Sequence, residues 1–237
     1  MGRFPNIAAS KAKTGAAKGK LYSMYAREIY LAAKSGGTEP DSNSSLKRMI
    51  DRAKKEQVPA DIIKRAIDKV NSGIDDSYQS AMYEMFGPAG STLMIQCLTD
   101  NVNRTVSDLR AVVNKCHIKM GAMGSVAFMY DNYAIVGFKG LSEEQAMEAL
   151  IEADVDLQDI ETDQGLTVIY GDPQDLYKIK DAISKVLPTV DFAVEEIAMV
   201  PKETIDITGE DLELFNKLLS LLDEVEDVQN VYHNVNL

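Results

Sequence analysis

Cysteine and histidine are scarce: Cys97, Cys116, His117 and His233 are the only ones in 237 residues. Two cysteines cannot build a disulfide framework and fit a reducing compartment, so the cytoplasm is the expected location. A structural zinc site needs four ligands at recognisable spacing, and Cys97 with Cys116-His117 does not supply it. Apolar runs such as Ala134-Ile135-Val136 and Leu221-Leu222 are short. Nothing approaches the roughly 20 apolar residues of a membrane span, so no membrane partner is expected. Arg3 is followed by no apolar stretch of the secretory type. Catalytic signatures are missing too: there is no G-x-S-x-G nucleophile elbow. Gly15-Ala16-Ala17-Lys18-Gly19-Lys20-Leu21 is one residue short of a P-loop. It also puts Leu21 where a hydroxyl must reach magnesium. The acids of 143–163 contain no pair that stands out as an acid/base couple and read as a solvated face. The expectation is therefore no catalytic residue, no metal and no cofactor.

What is present is ordinary for a globular chain: 45% hydrophobic and 26% charged residues, which argues against global disorder. The charge, however, is unevenly divided. The whole chain carries −12, yet residues 1–72 hold 15 Lys/Arg against 7 Asp/Glu, a net of +8. Residues 73–237 hold 10 against 30, a net of −20. Acids are absent from residues 1–27, which contain Arg3, Lys11, Lys13, Lys18, Lys20 and Arg27. Such a segment binds polyanions, pairs with the acidic remainder of its own chain, or serves as a targeting peptide. Pro5, Gly15, Gly19 and the lysine-rich composition weigh against the last.

Residues 4–20 are small and polar and bury little, which predicts a mobile arm. Leu21, Tyr25, Ile29 and Ala32 then mark a helix that Gly36-Gly37 and Pro40 end. Asp41 or Asn43 can cap a second helix with Leu46, Ile50 and Ala53 on its apolar face. A third follows Pro59, with Ile63, Ala66, Ile67 and Val70 on one face and Lys64, Arg65 and Lys69 on the other. Beyond Gly73 the period shortens. Strands are predicted at 83–86, 92–98, 125–130, 134–138, 157–162, 166–170, 192–199 and 225–235, with helices between. Residues 134–199 read β-α-β-β-α-β, a ferredoxin-like plait. The predicted fold is α+β: a helical N-terminal domain followed by two ferredoxin-like α/β plait domains, one inserted in the other. The predicted boundaries are 1–74, 75–130 plus 203–237, and 131–202 for the insertion.

Leu98-Thr99-Asp100-Asn101-Val102-Asn103-Arg104-Thr105 leaves a strand and opens a helix. Asp100, Asn103 and Thr105 can cap it. Arg104 is misplaced, because a cation near a helix N-terminus meets the positive end of the dipole. It must answer to an acid of the same protein or to a phosphate.

This run, Gly87-Pro88-Ala89-Gly90 before it and Gly124-Ser125-Val126-Ala127-Phe128 after it resemble the signature of the YebC/PmpR family. The likeness extends over essentially the whole chain, including Lys18-Gly19-Lys20 and Gly36-Gly37. Most members begin with a G-H-S-K-W-like stretch. Here the start is Gly2-Arg3-Phe4-Pro5-Asn6-Ile7, similar to a second, YeeN-like subgroup. The resemblance implies three domains, a cytoplasmic protein, no enzymatic activity and a motif at Asp100, Asn101, Asn103 and Thr105. It also implies a DNA-binding transcriptional regulator, with ribosome-bound translation factors among the relatives.

The reading is a nucleic-acid-binding regulator of gene expression. Phosphates would be contacted by Arg3, Lys11, Lys13, Lys18, Lys20, Arg27, Lys47 and Arg48, joined by Arg104. The partner is DNA, with ribosomal RNA as the alternative. A protein-interaction or ligand-sensing module is the third reading, with the acidic domains recruiting a protein.

Overall fold

The structure, a computed structural model, describes residues 18–72 and 77–237. The predicted contacts of Arg3, Lys11 and Lys13 lie outside the described residues.

Three helices open it: α1 (Lys18–Gly36), α2 (Ser44–Lys55) and α3 (Ala60–Asn71). Their apolar faces close on one another through Tyr25, Ile29 and Ala33, through Leu46, Ile50 and Ala53, and through Ile63 and Ala66. These residues recur at helical spacing, which is why the sequence pattern located the helices. Asn43, rather than Asp41, caps α2. Its Oδ1 accepts from the Leu46 N–H at 3.0 Å. Its Nδ2 donates to the carbonyls of Ala32 at 2.8 Å and Gly37 at 2.7 Å, tying the end of α1 to the start of α2. A Cβ on Gly36 would come within 2.7 Å of that amide, and Gly37 has φ +94°. Both glycines are thus required by the turn.

The rest of the chain builds two four-stranded antiparallel sheets. The first contains β1 (Gln79–Phe86), β2 (Thr92–Thr99), β3 (Lys119–Met120) and β8 (Val228–His233), in the order β3-β1-β2-β8. Helices α4 (Val102–Lys115) and α7 (Gly209–Glu224) cover one face. Between β3 and α7 the chain forms the second sheet: β4 (Tyr130–Phe138), β5 (Leu157–Asp163), β6 (Leu166–Gly171) and β7 (Phe192–Pro201). Its order β5-β6-β4-β7, with α5 (Glu143–Glu152) and α6 (Leu176–Val186) on one face, is the ferredoxin-like arrangement. The first sheet begins with a hairpin instead, so its strand order differs.

Alternation along the strands distributes the core. Leu93, Ile95 and Cys97 face α4 and α7, while Met94 faces the other sheet. Ala134, Val136 and Phe138 face α5 and α6, while Ile135 joins Val168, Tyr170, Ala198, Val200 and Tyr232 between the sheets. Both faces of the central strands are apolar, so they read in the sequence as continuous runs rather than alternation. Among the described residues no helix is long and apolar enough to cross a membrane.

Residues 125–130, expected to be a strand, are not one. Ala127–Met129 is a 3-10 turn and β4 begins at Tyr130. The buried Glu84 carboxylate on β1 captures the backbone donors a strand would offer to a neighbour. It accepts from the N–H of Gly124 at 2.6 Å, Val126 at 2.5 Å and Ala127 at 3.0 Å. Burial alone would raise the Glu84 pKa, but these bonds outweigh it and hold the carboxyl below its ordinary value. Glu84→Gln should therefore cost about 2 kcal/mol. It should speed amide exchange at Val126 and Ala127, and unchanged exchange there would contradict this account.

Candidate nucleic-acid interface

Lys20, Ser23 and Arg27 sit at i, i+3 and i+7 on α1, so they share one face. That face meets the acidic segment Asp223–Asp227 at the end of α7. Lys20 Nζ donates to the Asp223 carbonyl at 2.5 Å and lies 3.3 Å from its carboxylate. The Lys20 pKa is lowered, because burial outweighs the attraction of Asp223. Ser23 Oγ donates to Glu226 Oε1 at 3.3 Å. Arg27 is buried. Its Nη1 donates to the Leu98 carbonyl and to Asp227 Oδ1, each at 3.0 Å, and its Nη2 to Glu226 Oε1 at 2.6 Å.

Asp227 is the hub of this contact, its side chain only 1% exposed. It also accepts from Arg104 Nη2 at 2.9 Å, Thr105 Oγ1 at 2.8 Å and Thr99 Oγ1 at 3.1 Å. Two guanidinium groups and two hydroxyls thus converge on one carboxylate. Burial would push the Asp227 pKa up; hydrogen bonds from Arg104 and Thr105 and the two arginine charges overcome it, leaving it below the usual carboxylate value.

The run at 98–105 is built around this hub. Asn101 caps α4, its Oδ1 accepting from the Arg104 N–H at 3.1 Å. Its own N–H donates to Thr99 Oγ1 at 2.9 Å. The same Nη2 of Arg104 also donates to Asp100 Oδ1 at 2.7 Å. Asn103 stands exposed on the first turn. The misplaced cation at the start of α4 therefore answers to acids of the same chain.

The nine cations expected to meet phosphate are thus divided. Lys20, Arg27 and Arg104 are turned onto carboxylates of the chain, so the self-pairing explanation accounts for these three. Burial decides this for Arg27 and the Asp227 hub for Arg104. Arg48 lies 3.5 Å over the ring of Tyr177 on α6, bracing the helical unit against the second sheet's helices. Lys18 is exposed, and Lys47 is exposed with only a 3.3 Å surface contact to Asp41. Such a contact is worth little.

Sequence reasoning missed Thr99, Asp223, Glu226 and Asp227. A signal was present: four acids crowd the C-terminal end of a helix, where they meet the negative end of its dipole. That misplacement mirrors Arg104 at the start of α4, and the two relieve each other. The cysteines carry no such role. Burial pushes the Cys97 thiol up to about 12, which leaves it protonated and unreactive. Cys116 is buried while His117 points to solvent.

Comparison with known proteins places this architecture. Residues 2–73 match the model described as "TACO1/YebC protein N-terminal domain", and residues 78–235 match "TACO1/YebC second and third domain". A protein of Saccharophagus degradans is 47% identical over 235 residues, covering 99% of each chain. One of Marinobacter nauticus is 45% identical over 238 residues, covering 100% of this chain and 99% of the relative. Both are named "Probable transcriptional regulatory protein". The crystal structure of a conserved hypothetical protein from Aquifex aeolicus superposes with a TM-score of 0.75 at 33% identity, covering 94% of this chain and 92% of that one. The helical unit, the two sheets and the matches to both parts of the chain together establish that this protein belongs to the TACO1/YebC family.

Proposed function

We propose that the protein regulates gene expression by binding nucleic acid through its N-terminal third. The observation that carries this reading is the charge division, +8 in residues 1–72 against −20 in the rest. The pairs at Lys20 and Arg27 dock α1 on the body, while Lys18, Lys47 and Lys64 stay exposed. Arg3, Lys11 and Lys13 precede them in the sequence. The acidic body repels a polyanion and so confines it to the cationic end. The transcriptional name of the relatives supports DNA as the partner, and no residue here is assigned a catalytic role.

Ribosomal RNA is the second reading. It is favoured by the distribution of the exposed lysines over α1, α2 and α3 rather than along one helix that could enter a major groove. Sedimentation of a lysate through sucrose at low and high salt, paired with a mobility assay on duplex DNA, separates the two. Salt-sensitive co-migration with ribosomes and no duplex shift would select RNA. A duplex shift with no ribosomal co-migration would select DNA. Indifference of the purified protein to both would remove the proposal.

A further inference from the structure

A groove of about 300 Å³ lies between α1 and α3, with Tyr78 and Glu226 also lining it. It arises from matched spacing. Residues 23, 26, 27 and 30 of α1 and residues 62, 65, 66 and 69 of α3 each follow i, i+3, i+4, i+7, so two faces confront each other. Ala26 and Ala66 are small where the helices approach, which leaves the space open.

Its walls are cationic and aromatic. Arg27, Arg65 and Lys69 line it against one carboxylate, Glu226, which Arg27 and Ser23 already hold. Arg65 is bonded to Asp61, but both side chains are largely exposed, 74% and 62%. A surface pair of this kind is worth at most about 1 kcal/mol, so Arg65 can exchange it for a better anion. Tyr78 is half-buried, edge-on to Tyr30 at 5.8 Å, with the Arg27 guanidinium 5.6 Å from its ring centre. The ring is thereby fixed in place.

We propose that this groove grips one nucleotide of a single strand, its phosphate against Arg65 and Lys69 and its base against Tyr78. The inference rests on the nucleic-acid reading and narrows it. Cations beside an aromatic wall are the recurring arrangement for single strands, whose unpaired bases can reach a side chain. A duplex keeps its bases stacked and offers this groove only phosphate.

The test is fluorescence anisotropy of the full chain with a labelled 12-residue RNA, the corresponding DNA strand, and the duplex DNA of the same sequence. Tyr78→Ala should weaken the single strands about tenfold, the size of one lost stacking contact, and leave the duplex within about twofold. Arg65→Gln with Lys69→Gln should weaken all three probes. Tyr78→Phe should bind as the unaltered protein does. In the unaltered protein, a strand carrying 5-bromouridine should crosslink to Tyr78 or its immediate neighbours, a readout that needs no variant to fold. Equal loss on single strand and duplex, or crosslinks only elsewhere, would overturn the groove assignment while sparing the wider reading. An unaltered chain that ignores all three probes would overturn both.

Discussion

Replacing Asp227 by Ala should lower the stability of the whole chain by about 3–5 kcal/mol, a melting point depressed on the order of 10 °C. The reason is the company the carboxylate keeps. Removing it leaves Arg27 buried, with the side chain of Glu226, 69% exposed, as its remaining anion. It also strips Arg104 to its Asp100 contact and takes an acceptor from Thr99 and Thr105. An unpaired buried cation is far more costly than the pair is stabilising. Because Arg27 belongs to α1, the loss should loosen the helical unit, read as faster amide exchange along α1. Asp227→Asn keeps the shape and removes the charge, so its difference from the unaltered protein isolates the ionic part.

The pH dependence follows with a definite sign. A carboxyl held below its ordinary value contributes stability that is fully present above that value. The contribution is lost as pH falls through the native pKa. The melting point of the unaltered protein should therefore drop below about pH 4. Asp227→Asn should lack that part of the drop. Identical pH profiles for the two would show that Asp227 is not ionised in the native state.

The second large effect concerns salt. Of the expected cations, Lys18 is exposed, Lys47 is exposed with only a surface contact to Asp41, and Arg3, Lys11 and Lys13 precede them in the sequence, five in all. If each meets a phosphate, affinity should fall roughly 500-fold between 50 and 200 mM salt. Replacing Lys11, Lys13 and Lys18 by Ala removes three contacts and should flatten the fall to roughly 12-fold. Lys20→Ala serves as the contrast, because Lys20 is bound to Asp223. It should reduce thermal stability and leave the salt slope unchanged. If the triple variant keeps the full slope, the polyanion contacts lie elsewhere.

These two predictions concern cations that look alike in the sequence. Lys18 and Lys20 are two positions apart, yet one is exposed and the other half-buried against an acid. Their fates differ because successive helix positions turn by about 100°, and only the partner surface decides which direction is inward. The helices of the first unit were legible because Tyr25, Ile29, Leu46, Ile50, Ile63 and Ala66 recur at helical spacing around a core of their own. The βαββαβ unit was legible from the order of its elements. Residues 125–130 were misread because Glu84, some forty positions earlier, intercepts their amides. The groove beside Tyr78 was invisible because it belongs to two helices jointly.

Composition and periodicity alone determined that a cationic helical unit precedes an acidic pair of sheets, since both are properties of neighbours along the chain. Only the tertiary structure decided that Arg27 would close on Asp227, 200 positions away, and Arg104 on the same carboxylate from 123 away. A carboxylate carries no mark of its eventual partner. The pairing is fixed by which strand lies beside β2 and by the exclusion of water around the resulting cluster.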